Sequence, residues 1–97
     1  MTILLNILTV ESASQGRLVE MLRDNIDTVI RTLDGWISTN LIASADGKRV
    51  VIHSQWRDAA AVAAMRSDPR MVAYFPKLAA LASFDSILGE VAHAAAA

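Results

Sequence analysis

The first segment of the chain is apolar on both faces of the strand that it predicts. Residues 3–10 read Ile-Leu-Leu-Asn-Ile-Leu-Thr-Val, and successive side chains of a β-strand point to opposite sides of the sheet. The even-numbered and the odd-numbered positions therefore form two faces, and both are mainly apolar. A layer of helices covers only one of them. In a chain of 97 residues, close to the size where burial is marginal, the second cover has to come from elsewhere.

A helix and a hairpin are predicted after this strand. Apolar residues at helical spacing indicate a helix of about 18–20 residues, capped by Ser12 or Ser14 and ending near Leu33. Asp34-Gly35 is a typical stop signal. Asp46-Gly47, between two apolar runs, predicts a type I′ turn. The strands that this turn joins are predicted at Trp36–Ser44 and Val50–Trp56.

The second half of the chain predicts two short helices and a last strand. Asp58 can cap an Ala-rich helix that ends at Arg66, and Ser67-Asp68-Pro69 then starts the next helix with proline in its first turn. Pro76 is expected to kink or re-cap this helix before it continues through Leu78, Leu81 and Ala82. The last strand is predicted at Phe84–Val91, where Gly89 could form a bulge.

This order of elements, βαββαβ, predicts a split ferredoxin-like α+β fold, an antiparallel sheet with helices on one face. We expect one domain over residues 1–97, with a core at about residues 3–91 and an Ala-rich tail at 92–97. The uncovered sheet face predicts a symmetric homodimer in which two sheets pack face to face. Cover by the C-terminal tail is the alternative.

Composition excludes several classes of protein. The net charge is −1 and the pI is about 6.0, with no basic stripe, so nucleic acid is not expected as a partner. The chain has no cysteine and two histidines, which argues against a metal site. No stretch reaches the roughly 20 apolar residues of a membrane span. The apolar start lacks the basic region of a signal peptide, so we expect a cytoplasmic protein.

Two residues stand out against their apolar surroundings. Asn6 lies in the middle of the first strand, where a buried amide without partners costs roughly 1–3 kcal/mol. Trp56 closes the third strand and carries an indole N–H that needs an acceptor when it is buried. Each residue therefore has either a structural partner or a ligand, and the pattern alone leaves both interpretations open.

Six segments together resemble the antibiotic biosynthesis monooxygenase domains. They are Leu5-Asn6-Ile7-Leu8-Thr9-Val10, Leu33-Asp34-Gly35-Trp36, Asp46-Gly47-Lys48-Arg49-Val50-Val51, Gln55-Trp56, Ser67-Asp68-Pro69 and Phe84-Asp85-Ser86-Ile87-Leu88-Gly89-Glu90-Val91. The resemblance implies a dimeric α+β barrel. It also implies a small monooxygenase that oxidises a hydrophobic phenol, quinol or anthrone with dioxygen and needs no cofactor, neither flavin nor metal.

The resemblance also implies site residues. Asn6 and Trp56 match a strand-one Asn and a strand-three Trp that point into a cavity, where the amide would bind a substrate oxyanion and the indole N–H superoxide or a peroxide. Further apolar residues either line that cavity or form core: Leu22, Ile26, Ile52, Met65, Met71, Tyr74, Phe75 and Leu78. Ile52 stands where relatives often have Asn, and Tyr74 and Phe75 stand where relatives can carry a polar or basic group.

Two other functions remain open. One is a non-catalytic dimeric barrel that binds an apolar ligand. The other is a haem-degrading relative, which needs an axial histidine on the helix after Asp68-Pro69, where residues 71–78 contain none. His53 lies on the strand face opposite Trp56 by parity, so we expect it at the dimer interface rather than in catalysis.

Overall fold

The fold is built on one four-stranded antiparallel sheet. The computed structural model describes residues 1–97. Its elements are β1 (Thr2–Thr9), α1 (Gln15–Thr28), β2 (Trp36–Ala43), β3 (Arg49–Trp56), α2 (Ala59–Ser67), α3 (Pro69–Ala79) and β4 (Ser83–Gly89). The strand order is β2-β3-β1-β4, so β1 and β3 are central. The predicted ferredoxin-like α+β fold is confirmed, with two consecutive helices between β3 and β4.

The register of the strands decides which side chains share a face. Asn6 on β1 lies opposite Ile52 on β3 and Ser86 on β4. Leu4 and Leu8, on the same face as Asn6, are buried in two core clusters with residues of the helices. The even-numbered side chains of β1 therefore face the helices, as strand parity predicts.

The opposite face of the sheet is apolar and is not covered by any other part of the chain. Ile3, Leu5 and Ile7 of β1 lie there with residues of the other strands. Ile42 on β2 and Ile87 on β4 are each 54% exposed. Residues beyond β4 form no helix or strand.

No helix of the structure has both the length and the apolar character that crossing a bilayer requires.

The starts of α2 and α3 agree with the sequence. The Asp58 carboxylate accepts a hydrogen bond from the Ala61 N–H at 2.8 Å and caps α2. The Asp68 carboxylate accepts one from the Arg70 N–H at 2.9 Å and caps α3, whose first residue is Pro69. These carboxylates satisfy N–H groups that the first turn of a helix leaves unpaired.

The start predicted for α1 is confirmed, since Ser14 occupies the N-cap position, whereas its predicted end is wrong. Neither Ser12 nor Ser14 caps the helix with its side chain; residues 12–14 form a 3-10 turn instead. The α-helix ends at Thr28, and a second 3-10 turn, Ile30–Thr32, leads towards Leu33. Val29 has φ −120° and ψ −62°, outside the helical region, and interrupts the helix.

Three further local predictions are wrong. The β2–β3 turn is not type I′, which requires positive φ at both central residues, because Gly47 has φ +77° and no residue other than glycine has positive φ. Helix α3 runs through Pro76 without a new cap and ends at Ala79, before Leu81 and Ala82. The last strand ends at Gly89 in continuous register, and the irregularity lies in β2 between Trp36 and Ser38.

Gly35 provides a test of the packing between the turn before β2 and helix α2. Its φ is +86°, and a Cβ there would lie 2.5 Å from the Cβ of Ala61, which is 4% exposed. We expect Gly35→Ala to lower the free energy of unfolding by about 2–3 kcal/mol, through backbone strain and overpacking. Urea denaturation measures this.

Gly16 is the matched control for that substitution. It lies in α1, and a Cβ there would meet no atom within 4 Å. Gly16→Ala should therefore raise the free energy of unfolding by about 0.5–1 kcal/mol, because alanine restricts the unfolded chain and favours helix. Equal effects of the two substitutions would contradict this account of Gly35.

Candidate active site

A cavity of about 520 Å³ lies between the sheet and the helices. Its wall is formed by 19 residues, of which 13 are hydrophobic. This volume and this apolar character are typical of sites for small organic ligands. The cavity is therefore the candidate site of the protein.

The structure brings all ten of the predicted site residues to this one cavity. They are Asn6, Leu22, Ile26, Ile52, Trp56, Met65, Met71, Tyr74, Phe75 and Leu78. Nine other residues complete the wall: Leu4, Leu8, Asn25, Ile30, Thr39, Ser54, Arg66, Phe84 and Ser86. The roles of the ten stay a prediction, because position alone does not separate binding from packing.

Trp56 lies at the centre of the core and carries an unsatisfied donor. The residue is 1% exposed, and its indole Nε1 has no hydrogen-bond partner. A buried N–H without an acceptor costs about 1–3 kcal/mol and is rare in native structures. An acceptor atom of a ligand in the cavity would remove this cost.

Trp36, the other tryptophan, is satisfied within the chain. Its indole N–H donates to the Thr39 hydroxyl at 2.8 Å, and that hydroxyl shares a hydrogen bond of 3.1 Å with the hydroxyl of Ser54. Thr39 and Ser54 lie opposite each other on β2 and β3, and Ser54 is buried. The two indoles therefore differ in one respect that matters for a ligand: only that of Trp56 has a free donor.

The side-chain oxygen of Asn6 has a hydrogen-bond partner within the chain. The Ser86 hydroxyl donates to Asn6 Oδ1 at 2.5 Å, and Arg66 Nη2 donates to the Ser86 hydroxyl at 3.3 Å. Asn6 Nδ2 makes no hydrogen bond within the chain. The contact with Ser86 thus orients the amide with its oxygen occupied and its N–H groups available to a ligand.

Arg66 is the only charged side chain in the wall of the cavity. It is exposed, and it lies on α2 at the end of the hydrogen-bonded series that leads through Ser86 to Asn6. A positive charge without an acidic neighbour in the wall favours anionic ligands. Sequence reasoning missed Arg66 because no periodicity distinguishes it from a solvent-exposed helical arginine.

Sequence analysis also missed other residues of the cavity wall, and only some of them could have been predicted from the sequence. Leu4, Leu8 and Ser54 share strand parity with Asn6 or Trp56, so parity alone could have placed them. Ser86 depends on the register between β1 and β4, which the sequence does not specify. Asn25 occupies a position of α1 that the apolar pattern left out.

Comparison with known proteins decides the family. The profile of the family described as antibiotic biosynthesis monooxygenase matches residues 1–77. The chain belongs to this monooxygenase family. A curated relative is the tetracenomycin-F1 monooxygenase of Streptomyces glaucescens, which is 32% identical over 90 residues, covering 93% of this chain and 80% of that protein.

Solved structures agree with this assignment. A monooxygenase from the gene ActVA-Orf6 of Streptomyces coelicolor, in complex with nanaomycin D, superimposes with a TM-score of 0.86 at 25% identity, covering 99% of this chain and 91% of that chain. SnoaB, a cofactor-independent oxygenase from Streptomyces nogalater, gives a TM-score of 0.85 at 17% identity, covering 96% and 94%. At that lower identity SnoaB shows the fold alone.

Histidine and possible metal ligands lie outside the cavity of this family member. His53 is on the outer face of the sheet, opposite Leu5 on β1 and Asn40 on β2, as parity predicts. No group of three or more His, Cys, Asp or Glu side chains is arranged to hold a metal ion. The polar chemistry of the cavity therefore rests on amides, hydroxyls, one indole and one guanidinium.

Tyr74 contributes a ring to the cavity and no base. Its hydroxyl donates to the backbone oxygen of Met21 at 3.1 Å, which ties α3 to α1. Burial raises the pKa of Tyr74 to about 12, and the Asp24 carboxylate adds to the shift. The phenol is therefore neutral at physiological pH.

The titration of Tyr74 tests this environment directly. Because its pKa is raised in the folded state, its contribution to stability is complete below pH 10 and is lost as the pH rises through about 12. Tyr74 is the only tyrosine, so the near-ultraviolet absorbance of tyrosinate reports this residue alone.

Tyr74→Phe is the control for this measurement. It should remove both the absorbance change and the extra loss of stability in alkali. Titration of the folded protein at the ordinary tyrosine pKa would contradict the buried, hydrogen-bonded position of the phenol.

Proposed function

We propose that the protein is a cofactor-independent monooxygenase that oxidises a hydrophobic phenolic, quinol or anthrone-type aromatic with dioxygen. The observation that carries the proposal is Trp56, a residue in the wall of an apolar cavity of about 520 Å³ whose buried indole N–H has no partner in the chain. An aromatic substrate fits the apolar wall, and an oxygen species formed from dioxygen is an acceptor for that donor. The similarity to the tetracenomycin-F1 monooxygenase and to the monooxygenase in complex with nanaomycin D supports the reaction type.

The proposed reaction balances for an anthrone. Loss of a proton from the CH₂ group gives an enolate, which transfers one electron to dioxygen. The substrate radical and superoxide combine into a carbon-bound peroxide. Cleavage of the O–O bond, with loss of the second C–H proton, gives the quinone carbonyl and water. One oxygen atom enters the product and the other leaves as water.

Side chains of the protein would stabilise the negative charge that develops during this reaction. Asn6 Nδ2 would donate to the oxyanion of the deprotonated substrate, with the charge of Arg66 at the same end of the cavity. The Trp56 N–H would donate to superoxide and then to the peroxide. A preorganised donor of this kind contributes about 3–4 kcal/mol in a site that excludes water.

Where the sequence departs from the family pattern, the cavity wall becomes more apolar but keeps several polar groups. Ile52, Tyr74 and Phe75 make the wall more apolar where relatives can be polar. Arg66 lies on α2 rather than on the helix after Asp68-Pro69, and it brings a positive charge to the same cavity. We propose that Arg66 replaces the missing charge.

The second candidate is a non-catalytic dimeric barrel that binds an apolar ligand, which the 13 hydrophobic wall residues favour. Haem degradation has less support, because the cavity wall contains no histidine. The cytoplasmic location and the single domain stay predictions.

Oxygen uptake separates the oxygenase from the binding barrel. Protein purified without added flavin, haem or metal should consume oxygen with an anthrone or quinol. Asn6→Ala should lower the rate about 10–1,000-fold, as expected for one lost charge-stabilising donor. Trp56→Phe should also lower the rate, because it removes the N–H and keeps most of the ring.

Asn40→Ala is the matched control for Asn6→Ala. Asn40 is an exposed amide on β2, opposite His53 and outside the cavity. Its removal should leave the rate unchanged. If Asn6→Ala and Trp56→Phe each cost several kcal/mol of stability while turnover is unchanged, the two residues are core and their proposed catalytic roles are wrong. If the wild type consumes no oxygen with any anthrone or quinol, the oxygenase proposal fails.

We also propose that two copies form a homodimer through their outer sheet faces. The face is apolar at Ile3, Leu5, Ile7, Ile42 and Ile87, and the chain has no further element to cover it. An exposed apolar patch of this kind is typical of an interface. A second copy presents the same surface by symmetry.

Sedimentation at micromolar concentration should show a dimer. Ile42→Lys should weaken the dimer at least about tenfold, because it places charge in the apolar face. Val72→Lys is the control, since Val72 on α3 is similarly exposed, at 55% against 54%, but lies on another surface. His53→Gln should alter dimer affinity more than turnover. A clean monomer in the wild type would refute the dimer.

A further inference from the structure

Asn25 breaks the apolar stripe by which α1 packs on the sheet. The buried residues of this helix are Leu18, Leu22 and Asn25, spaced four and three residues apart on one face. The spacing of an inward helical stripe favours an apolar residue at the third position. Asn25 is nevertheless an amide there and is 8% exposed.

The side chain of Asn25 makes no hydrogen bond with any other part of the chain. Its backbone oxygen accepts from the Val29 N–H at 2.9 Å, but its amide oxygen and nitrogen have no partner. The residue lines the cavity, on the helix side. Tyr74, a neighbouring polar group, donates to Met21 instead. Trp56 Nε1 is the only inaccessible polar side-chain atom without a partner, so the unpaired amide atoms of Asn25 keep access to the cavity or to water and are open to a ligand.

We infer that Asn25 is a substrate-binding residue, which hydrogen-bonds an oxygen substituent of the ligand from the helix side of the cavity. This inference rests on the proposed aromatic substrate. The sheet side offers donors, namely the Trp56 N–H and Asn6 Nδ2. Asn25 adds an unoccupied acceptor, Oδ1, together with two further N–H donors. On the helix side of the cavity it can therefore receive the proton of a ligand hydroxyl group.

This arrangement defines a substrate class. The ligand carries oxygen substituents on two edges of a fused aromatic ring system, one directed at the sheet and one at α1. An aromatic with a single hydroxyl group satisfies only one side. The difference in affinity between these two kinds of ligand measures the contribution of Asn25.

The test compares a dihydroxynaphthalene that carries one hydroxyl on each ring with a mononaphthol. Binding is measured under anaerobic conditions, where no turnover occurs, by the change in tryptophan fluorescence. The wild type should bind the dihydroxy ligand about tenfold more tightly. In Asn25→Leu the two ligands should bind with equal affinity.

The free energy of unfolding provides the second readout. The sign of its change on substitution distinguishes a ligand-binding residue from a structural one. Leucine completes the apolar stripe and removes an unsatisfied amide, so Asn25→Leu should unfold at a higher urea concentration than the wild type. A structural amide would give the opposite sign. Asn40→Leu, at an exposed amide on the outer face, should leave the ratio of the two ligand affinities unchanged.

Asn25→Ala removes the amide without added bulk and should show the same loss of the affinity ratio. Retention of that ratio in both variants would overturn the inference. If the wild type shows the ratio and consumes no oxygen with any quinol or anthrone, the oxygenase proposal fails while Asn25 remains a binding residue. If neither ligand binds the wild type, both proposals fail.

Discussion

The pairing of β1 with β3 on one side and β4 on the other is the constraint on which the site depends. It sets Asn6, the only amide side chain of β1, opposite two different groups. Ser86 on β4 presents a hydroxyl and Ile52 on β3 an apolar side chain. A slip of one residue would send Asn6 to the outer face. The apolar residues of β1 oppose such a slip only weakly, because both faces of the strand carry them and either register would direct an apolar set towards the helices. The helix contacts of Leu4 and Leu8 therefore have to select the register.

The cavity leaves several polar groups unsatisfied within an otherwise well-bonded fold. The Trp56 N–H and the amide of Asn25 have no partner in the chain, and Asn6 has a partner for its oxygen only. Each unsatisfied buried group costs stability. In a domain of this size that cost is a substantial part of the total. We interpret these groups as the ligand contacts of a monooxygenase-family site, where polar groups of the substrate and of reduced oxygen would complete their hydrogen bonding.

Sequence reasoning recovered those features that depend on local pattern. Strand parity placed His53 on the face opposite Trp56, because the period of two is a property of the backbone. The resemblance to the family, not parity, placed Asn6 and Trp56 in one cavity. Asp58 was predicted as a cap, and Ser67-Asp68-Pro69 as a helix start, because the signals are local: the N–H groups that Asp58 and Asp68 accept from lie two or three residues away. The end of α1 and the type of the β2–β3 turn were predicted wrongly. Val29 leaves the helical conformation, and the Asp46 carboxylate accepts hydrogen bonds from the Ser44 hydroxyl and the Lys48 N–H in a turn that is not type I′. Contacts between distant segments bring three further residues to the cavity, and such contacts could not be predicted from a single sequence. These residues are Thr39, Arg66 and Ser86.

The central claim is that the Trp56 N–H is the free donor of a ligand-binding cavity, whereas the Trp36 N–H is already bonded to Thr39. Nitrogen-labelled protein gives one indole N–H resonance for each of its two tryptophans. Titration with a naphthoquinone under anaerobic conditions tests the claim most directly. The account predicts that the Trp56 resonance moves downfield as it gains an acceptor, while that of Trp36 stays in place. Movement of the Trp36 resonance alone, or of neither resonance on binding, would contradict it.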